Sequence, residues 1–343
     1  MKLNRNIKIF INYFLGPLLF LWLSWSIFRE IKHQPDLKKV WHHILESFHS
    51  PLLWNLAAVI ILMIINWSIE AVKWQLAIKK IQCVSFLKAF RAVLSGVSFS
   101  VSTPNRVGEY LGRILYMQEG NRLKTISLTI VCNMSQLIIT LFIGALGLIV
   151  LLPQIEAGHI ISSIWIKVIL YGVITVLVVL TLFYFRLPWL VRWADRLPGS
   201  RRYAWLINAL EDFNATLLLQ LLSLSAVRFF VFIVQYYLLF RLFDVPVSWW
   251  QVFWTISVSF LVLAIIPTIA IIELFQRSMI LKTLVGLYST NELGITLTTA
   301  GIWFINLIVP AIIGSLLILS IKKIFANKDE MNNNSADTVQ KNL

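Results

Sequence analysis

Charged residues are scarce in this chain. Asp, Glu, Lys and Arg make up only 13% of its 343 residues, whereas hydrophobic residues make up 58%. That balance excludes a soluble globular domain, and several apolar runs reach the roughly 20 residues that a helix needs to cross a bilayer. The sequence therefore predicts an all-α polytopic membrane protein.

Residues that build catalytic or metal centres are also few. Cys83 and Cys132 lie far apart in the chain, which indicates neither a disulfide framework nor a metal knuckle. The predicted spans contain no histidine and the chain has no Asp-rich cluster and no nucleotide-binding P-loop, so little favours carboxylate- or metal-dependent chemistry. We expect no metal and no cofactor.

Histidines are concentrated in the polar segment from Arg29 to Ser50. His42, Glu46 and His49 recur there at a spacing that could place metal ligands on one helical face. No standard metal motif accompanies them, and the aromatic residues nearby favour an interfacial amphipathic helix instead.

The net charge of +14 comes from Lys and Arg clusters that lie between the apolar runs. Such clusters orient spans and contact anionic lipid headgroups, so we expect membrane lipids as partners and no nucleic acid. The basic segments place both termini in the cytoplasm and the protein in the inner (plasma) membrane. The first outer loop, with Arg29, Lys32, Lys38 and Lys39, departs from this charge rule.

Six segments are predicted to cross the membrane completely. They run from about Ile7 to Phe28, Pro51 to Val72, Ile126 to Leu152, Ser163 to Phe185, Ala215 to Phe240 and Leu293 to Ile321. The first is expected to be a retained helix and not a cleaved signal peptide. Residues 1–324 would form the transmembrane domain, with amphipathic helices on the cytoplasmic leaflet over 186–213, and residues 325–343 a disordered cytoplasmic tail.

A polar, glycine-punctuated stretch from Ser102 to Arg113 interrupts the apolar chain. Pro104 breaks a helix there, and Gly108 follows at the same break. Phe86 to Val101 is too short to cross the bilayer, and basic residues lie on both sides of the stretch. We therefore predict a re-entrant hairpin whose tip lines a cavity, because only protein or water can satisfy irregular backbone at membrane depth.

The second half of the chain repeats this arrangement. Thr103-Pro104 aligns with Ile266-Pro267, and Glu109 and Arg113 align with Glu273 and Arg277 after one inserted residue. Repeat one would cover about 7–152 and repeat two about 163–321, with three crossings each. An odd number of crossings inverts the second copy, so the tips of two opposed hairpins should meet at the midplane.

Arg228 stands near the middle of a predicted span. A charge at that depth costs on the order of 3 kcal/mol on insertion scales and therefore faces the bundle interior with a partner. Two roles are open for it: an ion pair that fastens two helices, or a ligand for an anionic headgroup.

The stretch from Thr103 to Glu109, in a chain of this length and span pattern, resembles the lysylphosphatidylglycerol synthase transmembrane-region family of flippase-like membrane proteins. The resemblance covers roughly Leu15 to Ile321. Thr103, Pro104, Arg106, Gly108 and Glu109 match the family motif, and Asn105 replaces a glycine but tolerates the same turn.

The second copy, from Thr268 to Ile272, lacks the expected glycines, which favours the first hairpin as the working one. No counterpart of the soluble aminoacyl-transferase half follows, so the resemblance implies the translocating portion.

The leading hypothesis is a lipid translocase that moves an anionic or aminoacylated phospholipid, or a polyprenyl-phosphate-linked lipid, through a polar cavity. Arg106, Arg113 and Arg228 would bind phosphate, and Glu109 and Glu273 would hold the arginines or contact a headgroup amine. The substrate-binding set is completed by Thr103, Asn105 and Arg277.

Three alternatives stay open. The chain could be a membrane-embedded transferase, or a non-catalytic partner of a separately encoded lipid or glycan transferase. Glu109 and Arg113 could also be a self-contained helix pair, worth only about 0.5 kcal/mol. Self-association into a homo-oligomer is compatible with each of these functions.

Overall fold

The computed structural model describes residues 25, 53–101, 103, 107–158, 162–186, 213–266 and 270–318. The first predicted span apart from Trp25, the histidine segment, residues 187–212 and the tail over 325–343 lie outside these ranges. Within them the chain is helical with connecting turns, and contains no strand.

Nine α-helices occur in the described ranges. They are α1 Leu53–Ile78, α2 Phe86–Val101, α3 Gly108–Ile114, α4 Arg122–Ala157, α5 Ser163–Phe185, α6 Ala215–Leu242, α7 Trp249–Ile265, α8 Ala270–Val285 and α9 Glu292–Trp303. A π-helical turn, Phe304–Ile308, continues α9 into helical residues 309–318.

Five of these described helices, namely α1, α4, α5, α6 and α9 with its extension, are long and apolar enough to cross a membrane. They coincide with five of the six predicted full spans, and the sixth lies outside the described ranges. The protein is therefore a multi-pass helical membrane protein. α4 is the longest, since its 36 residues extend about 54 Å at 1.5 Å per residue.

Helices α1 and α6 pack side by side and run antiparallel. Near one end Gln235 Nε2 donates to the carbonyl of Val59 at 3.0 Å, and further along Lys73 Nζ donates to Ser225 Oγ at 3.4 Å. Residue numbers rise along α1 while they fall along α6. The last residues of α1 and of α6 consequently lie at opposite ends of the bundle.

Helices α2 and α3 form a tight antiparallel hairpin. A Cβ atom on Gly112 would collide with the backbone of Gly96, and one on Gly108 would collide with the backbone of Phe99. Glycine at these positions is required because the two backbones touch, a device that membrane helices use for close packing. Gly108 therefore serves helix contact in addition to marking the break expected from the sequence.

The base of this hairpin lies at the end of the bundle where α1 stops. Asn121, just before α4, donates through Nδ2 to the carbonyl of Ile81 at 3.0 Å, and the backbone N–H of Gln118 donates to Gln82 Oε1 at 3.1 Å. The chain thus enters α2 and leaves α3 at the same end of α1.

The start of α7 and the end of α8 lie at the other end of the bundle, where α6 stops. Asn291, just before α9, donates through Nδ2 to the carbonyls of Phe243 at 3.2 Å and Asp244 at 3.0 Å. Side chains fix where these helices start: Ser248 and Gln251 form a capping box at α7, and Asn291 Oδ1 accepts the backbone N–H of Gly294 at α9.

Candidate functional site

A buried cluster of charges surrounds Glu70 on α1. Its carboxylate lies 2.8 Å from Lys73 Nζ, 2.8 Å from Arg113 Nη2 and 2.7 Å from Arg228 Nη1. These cations come from α1, α3 and α6, so a single carboxylate joins the first hairpin to two long helices. A buried carboxylate requires such partners, because an unpaired charge away from water is very costly.

Arg228 is held from several sides. Its Nε donates to Asn66 Oδ1 at 2.6 Å while Nη1 donates to Glu70, and the guanidinium lies 5.1 Å from the ring centroid of Trp67 and 5.7 Å from that of Phe232. Aromatic faces and carboxylate together fix its orientation. Arg228 therefore pairs α6 with α1, and it also lines the cavity described below.

The Glu70 cluster, defined as Glu70, Lys73, Glu109, Arg113 and Arg228, contains one more cation than carboxylate. Glu109 completes it through Oε2, which lies 3.6 Å from Arg113 Nη2. Three basic side chains face two acidic ones at a site shielded from water.

A second polar group lies on the other hairpin. Arg277 Nη2 bonds Glu273 Oε1 at 2.6 Å, within α8, and Nη1 donates to Tyr236 Oη of α6 at 2.8 Å. The guanidinium also lies 5.8 Å from the ring centroid of Phe260 on α7. Arg277 is thereby positioned by three helices.

Both polar groups border one cavity of about 570 Å³. Its wall carries Arg228 from the first group and Glu273 with Arg277 from the second. Thr103 and Ile266, which stand at the two chain breaks, also line it. Around these charged residues the lining is aromatic and aliphatic with a few neutral polar groups: Trp67, Ser100, Gln136, Thr140, Phe229, Phe232, Phe260, Leu263, Ala264, Ile265, Ile302, Trp303, Asn306 and Leu307.

Thr103 closes the first break with its side chain. Its Oγ1 accepts the backbone N–H of Gly108 at 2.7 Å and donates to the carbonyl of Phe99 at 3.2 Å. The hydroxyl thus links the end of α2 to the start of α3 and borders the cavity at the same time.

The predicted site residues fall into three sets. Thr103, Arg228, Glu273 and Arg277 line the cavity; Glu109 and Arg113 belong to the Glu70 cluster without lining it; Asn105 and Arg106 lie outside the described residues, as do Pro104 and Pro267. The interpretation of Glu109 and Arg113 as a self-contained pair is wrong, because Arg113 bonds Glu70 more closely than it bonds Glu109.

The expectation that the first hairpin is the working one stays a prediction. Of the two aligned Glu and Arg pairs, Glu273 and Arg277 of the second hairpin border the cavity, although that copy has lost its glycines. The reason is packing: Arg113 is 1% exposed beneath Glu70, whereas Arg277 lies at the cavity wall.

Sequence reasoning missed Glu70, Lys73 and Tyr236. The second span was expected to end near Val72, which placed Glu70 and Lys73 at the membrane edge. The helix instead continues to Ile78, and both charges are buried. The apolar residues Trp74, Ala77 and Ile78 after Lys73 were the available signal that the span continues.

A family comparison now bears on this geometry. The model of the lysylphosphatidylglycerol synthase TM region matches residues 13–314. The chain belongs to this family. The matched range of this lysylphosphatidylglycerol synthase TM region protein includes every residue of the cavity and of the Glu70 cluster. Family membership therefore indicates a membrane lipid-related function. A comparison with curated proteins gives no match.

In the ranges that the structure describes, no group of three or more His, Cys, Asp or Glu side chains is placed to hold a metal ion. The chemistry that the cavity offers is recognition: guanidinium groups bind phosphate through charge-assisted hydrogen bonds, and the aromatic wall accommodates apolar parts of a ligand.

Proposed function

We propose that the protein is a lipid translocase that moves an anionic lipid between the two leaflets, with the headgroup in the cavity and the hydrocarbon chains in apolar surroundings. The observation that carries this proposal is the placement of Arg228 and Arg277, from α6 and α8, on the wall of one cavity of about 570 Å³ inside a membrane bundle. The substrate class is an anionic or aminoacylated phospholipid or a polyprenyl-phosphate-linked lipid.

The charge balance supports an anionic headgroup. Among the residues that the structure describes, the cavity wall and the Glu70 cluster hold four cations, Lys73, Arg113, Arg228 and Arg277, and three carboxylates, Glu70, Glu109 and Glu273. Each of the three carboxylates already bonds a basic side chain. A phosphate between Arg228 and Arg277 would contact guanidinium groups from two different helices through charge-assisted hydrogen bonds.

An inverted repeat with two opposed re-entrant hairpins is part of the proposal. In the first half Arg113 bonds Glu70, which precedes it by 43 residues, and in the second half Arg277 bonds Tyr236, which precedes it by 41 residues. Each arginine also pairs with the glutamate four residues before it. These matching triads, on hairpins that start at opposite ends of the bundle, support two related halves of inverted orientation.

Charge at the two ends supports the orientation. Among the described residues, the end with the base of the first hairpin carries Lys79, Lys80, Lys88, Arg91, Arg122, Lys124 and Arg186 beside Glu119, whereas the other end carries Lys167, Arg241 and Lys282 beside Glu156, Asp244 and Glu292. The strongly basic end faces the cytoplasm under the positive-inside rule, in the plasma (inner) membrane. A separately encoded transferase as partner and self-association stay predictions.

The test is lipid movement in proteoliposomes. A phosphatidylglycerol with a fluorescent acyl label is quenched from outside by dithionite, and the fraction that becomes accessible reports movement between leaflets. Arg228→Ala and Arg277→Ala are each expected to slow this movement at least about tenfold, since charge-assisted hydrogen bonds are lost.

The matched control is Arg241→Ala, because Arg241 is exposed and bonds only Tyr237 among its described hydrogen-bond partners. It should leave the rate unchanged. Arg228→Ala leaves Glu70 with Lys73 and Arg113, so the bundle is expected to persist, which size-exclusion chromatography and thermal denaturation can verify. Unchanged movement in both cavity variants would refute the proposed function.

A further inference from the structure

A second cavity, of about 310 Å³, lies among α4, α5, α7 and α8. Its lining is almost wholly aliphatic. Thr283 supplies the only hydroxyl group in the lining, and Oγ1 already donates to the carbonyl of Met279 at 3.0 Å. A cavity without unsatisfied polar groups does not attract water, and apolar cavities of this kind bind hydrocarbons.

The apolar cavity adjoins the polar one. Ile265, the last residue of α7, lines both of them. The polar cavity holds Arg228 and Arg277, so a molecule that reaches past Ile265 passes from a charged wall to an almost wholly aliphatic one. An amphipathic molecule would fit this arrangement with its charged head in the polar cavity and its hydrocarbon chain in the apolar cavity.

The apolar cavity also opens toward the outer surface of the bundle. Ile169 on α5 and Met279 on α8 line it, and they are 40% and 56% exposed. Ile166, deeper in the lining, is 1% exposed. On a membrane helix the exposed apolar surface faces lipid, so a chain can enter this cavity from the bilayer.

We infer that this cavity holds one hydrocarbon chain of the lipid whose phosphate lies between Arg228 and Arg277; the inference rests on the proposed function. The chain passes Ile265 and fills the space between α5 and α8. Moving a chain from bilayer to cavity brings no gain in hydrophobic burial, since lipid tails are as apolar as the wall. The cavity therefore selects chains by fit, through the many dispersion contacts that an empty cavity would lack.

The experiment uses the full chain in nanodiscs and two photoreactive phosphatidylglycerols. One carries a diazirine midway along an acyl chain, the other a diazirine on the headgroup, and adducts are located by peptide mass spectrometry. The tail probe is expected to label Met279, Thr283 or Ile166, and the headgroup probe to label residues of the polar cavity.

A pair of substitutions on α5 provides the control. Ile169→Trp places a large ring at the mouth of the cavity, whereas Val176→Trp places the same ring at a lipid-facing position, 55% exposed, that does not line it. Tail adducts in the cavity should fall about tenfold, equivalent to ~1.4 kcal/mol, in Ile169→Trp and stay unchanged in Val176→Trp.

The outcomes separate the inference from the proposed function. The inference would be overturned if the tail probe labelled only residues outside the apolar cavity, or if its adducts in that cavity were insensitive to Ile169→Trp. Headgroup adducts in the polar cavity would in that case leave the proposed function intact. Absence of headgroup adducts from the polar cavity would overturn both.

Discussion

Glu70 and Arg113 lie 2.8 Å apart although 43 residues separate them in the chain. This pair attaches α3 to α1, and Arg113 is 1% exposed. A helix of seven residues such as α3 is not stable in isolation, so its position depends on tertiary contacts. The buried ion pair and the glycine contact with α2 supply those contacts.

Replacing Glu70 by Gln is therefore expected to destabilise the protein strongly. The substitution keeps the shape of the side chain but leaves Lys73, Arg113 and Arg228 around a neutral group. Loss of one partner from a buried ion pair costs about 3–5 kcal/mol, because the remaining charges stay buried without compensation. The midpoint of thermal denaturation in detergent measures the effect.

Glu119→Gln is the control for this prediction, since Glu119 is exposed in the turn before α4. It should change the stability by less than about 0.5 kcal/mol. Equal denaturation midpoints for Glu70→Gln and Glu119→Gln would show that the Glu70 cluster does not hold the hairpin.

The glycine contact makes a second prediction. Gly112→Ala adds a methyl group that collides with the backbone of Gly96, whereas Gly120→Ala adds one in open space. Forced separation of packed backbones costs about 1–3 kcal/mol, so only Gly112→Ala should lower the denaturation midpoint. A Gly112→Ala variant as stable as Gly120→Ala would contradict the close α2 and α3 packing.

The long apolar spans could be predicted from sequence because their signal is local. Five predicted spans coincide with described helices, and Ala215–Leu242 differs from its predicted range by two residues at one end. The membrane class and the family resemblance rest on the same kind of signal, namely composition and short motifs. A run of about 20 hydrophobic residues identifies a membrane span from its own composition, whatever segments it packs against.

Partner choice inside the bundle could not be predicted, since it depends on packing between distant segments. Arg113 has Glu109 four residues away, which is the expected partner on a helix, yet it bonds Glu70. Likewise Arg277 bonds Tyr236 on another helix in addition to Glu273. Nothing in the spacing of these residues indicates which helices become adjacent.

A third prediction tests the orientation. Cys83 is exposed at the basic end, and Cys132 is buried. A membrane-impermeant maleimide should therefore label the native protein at Cys83 only from the cytoplasmic side, in inverted vesicles. In a Cys83→Ser background, Glu292→Cys at the opposite end should be labelled only from the outside of intact cells.

The Cys83→Ser protein itself is the control and should take up no label. Labelling of Cys83 and Glu292→Cys from the same side would contradict the antiparallel arrangement of α1 and α6, and with it the proposal of two opposed hairpins.

The last prediction concerns how Arg277 is held at the cavity. Tyr236→Phe removes only the hydroxyl that accepts from Arg277 Nη1, and it leaves Glu273 as the remaining hydrogen-bond partner in place. A buried charged donor that loses its partner costs roughly 1.5–3 kcal/mol, so thermal stability should fall and lipid movement should slow.

The neighbouring Tyr237→Phe is the matched control, because the Tyr237 hydroxyl bonds Arg241 at the exposed end of α6. Its effect should stay below about 0.5 kcal/mol. If Tyr236→Phe and Tyr237→Phe behave alike in both measurements, Arg277 does not depend on Tyr236. The proposed correspondence between Tyr236 and Glu70 in two related halves then loses its support.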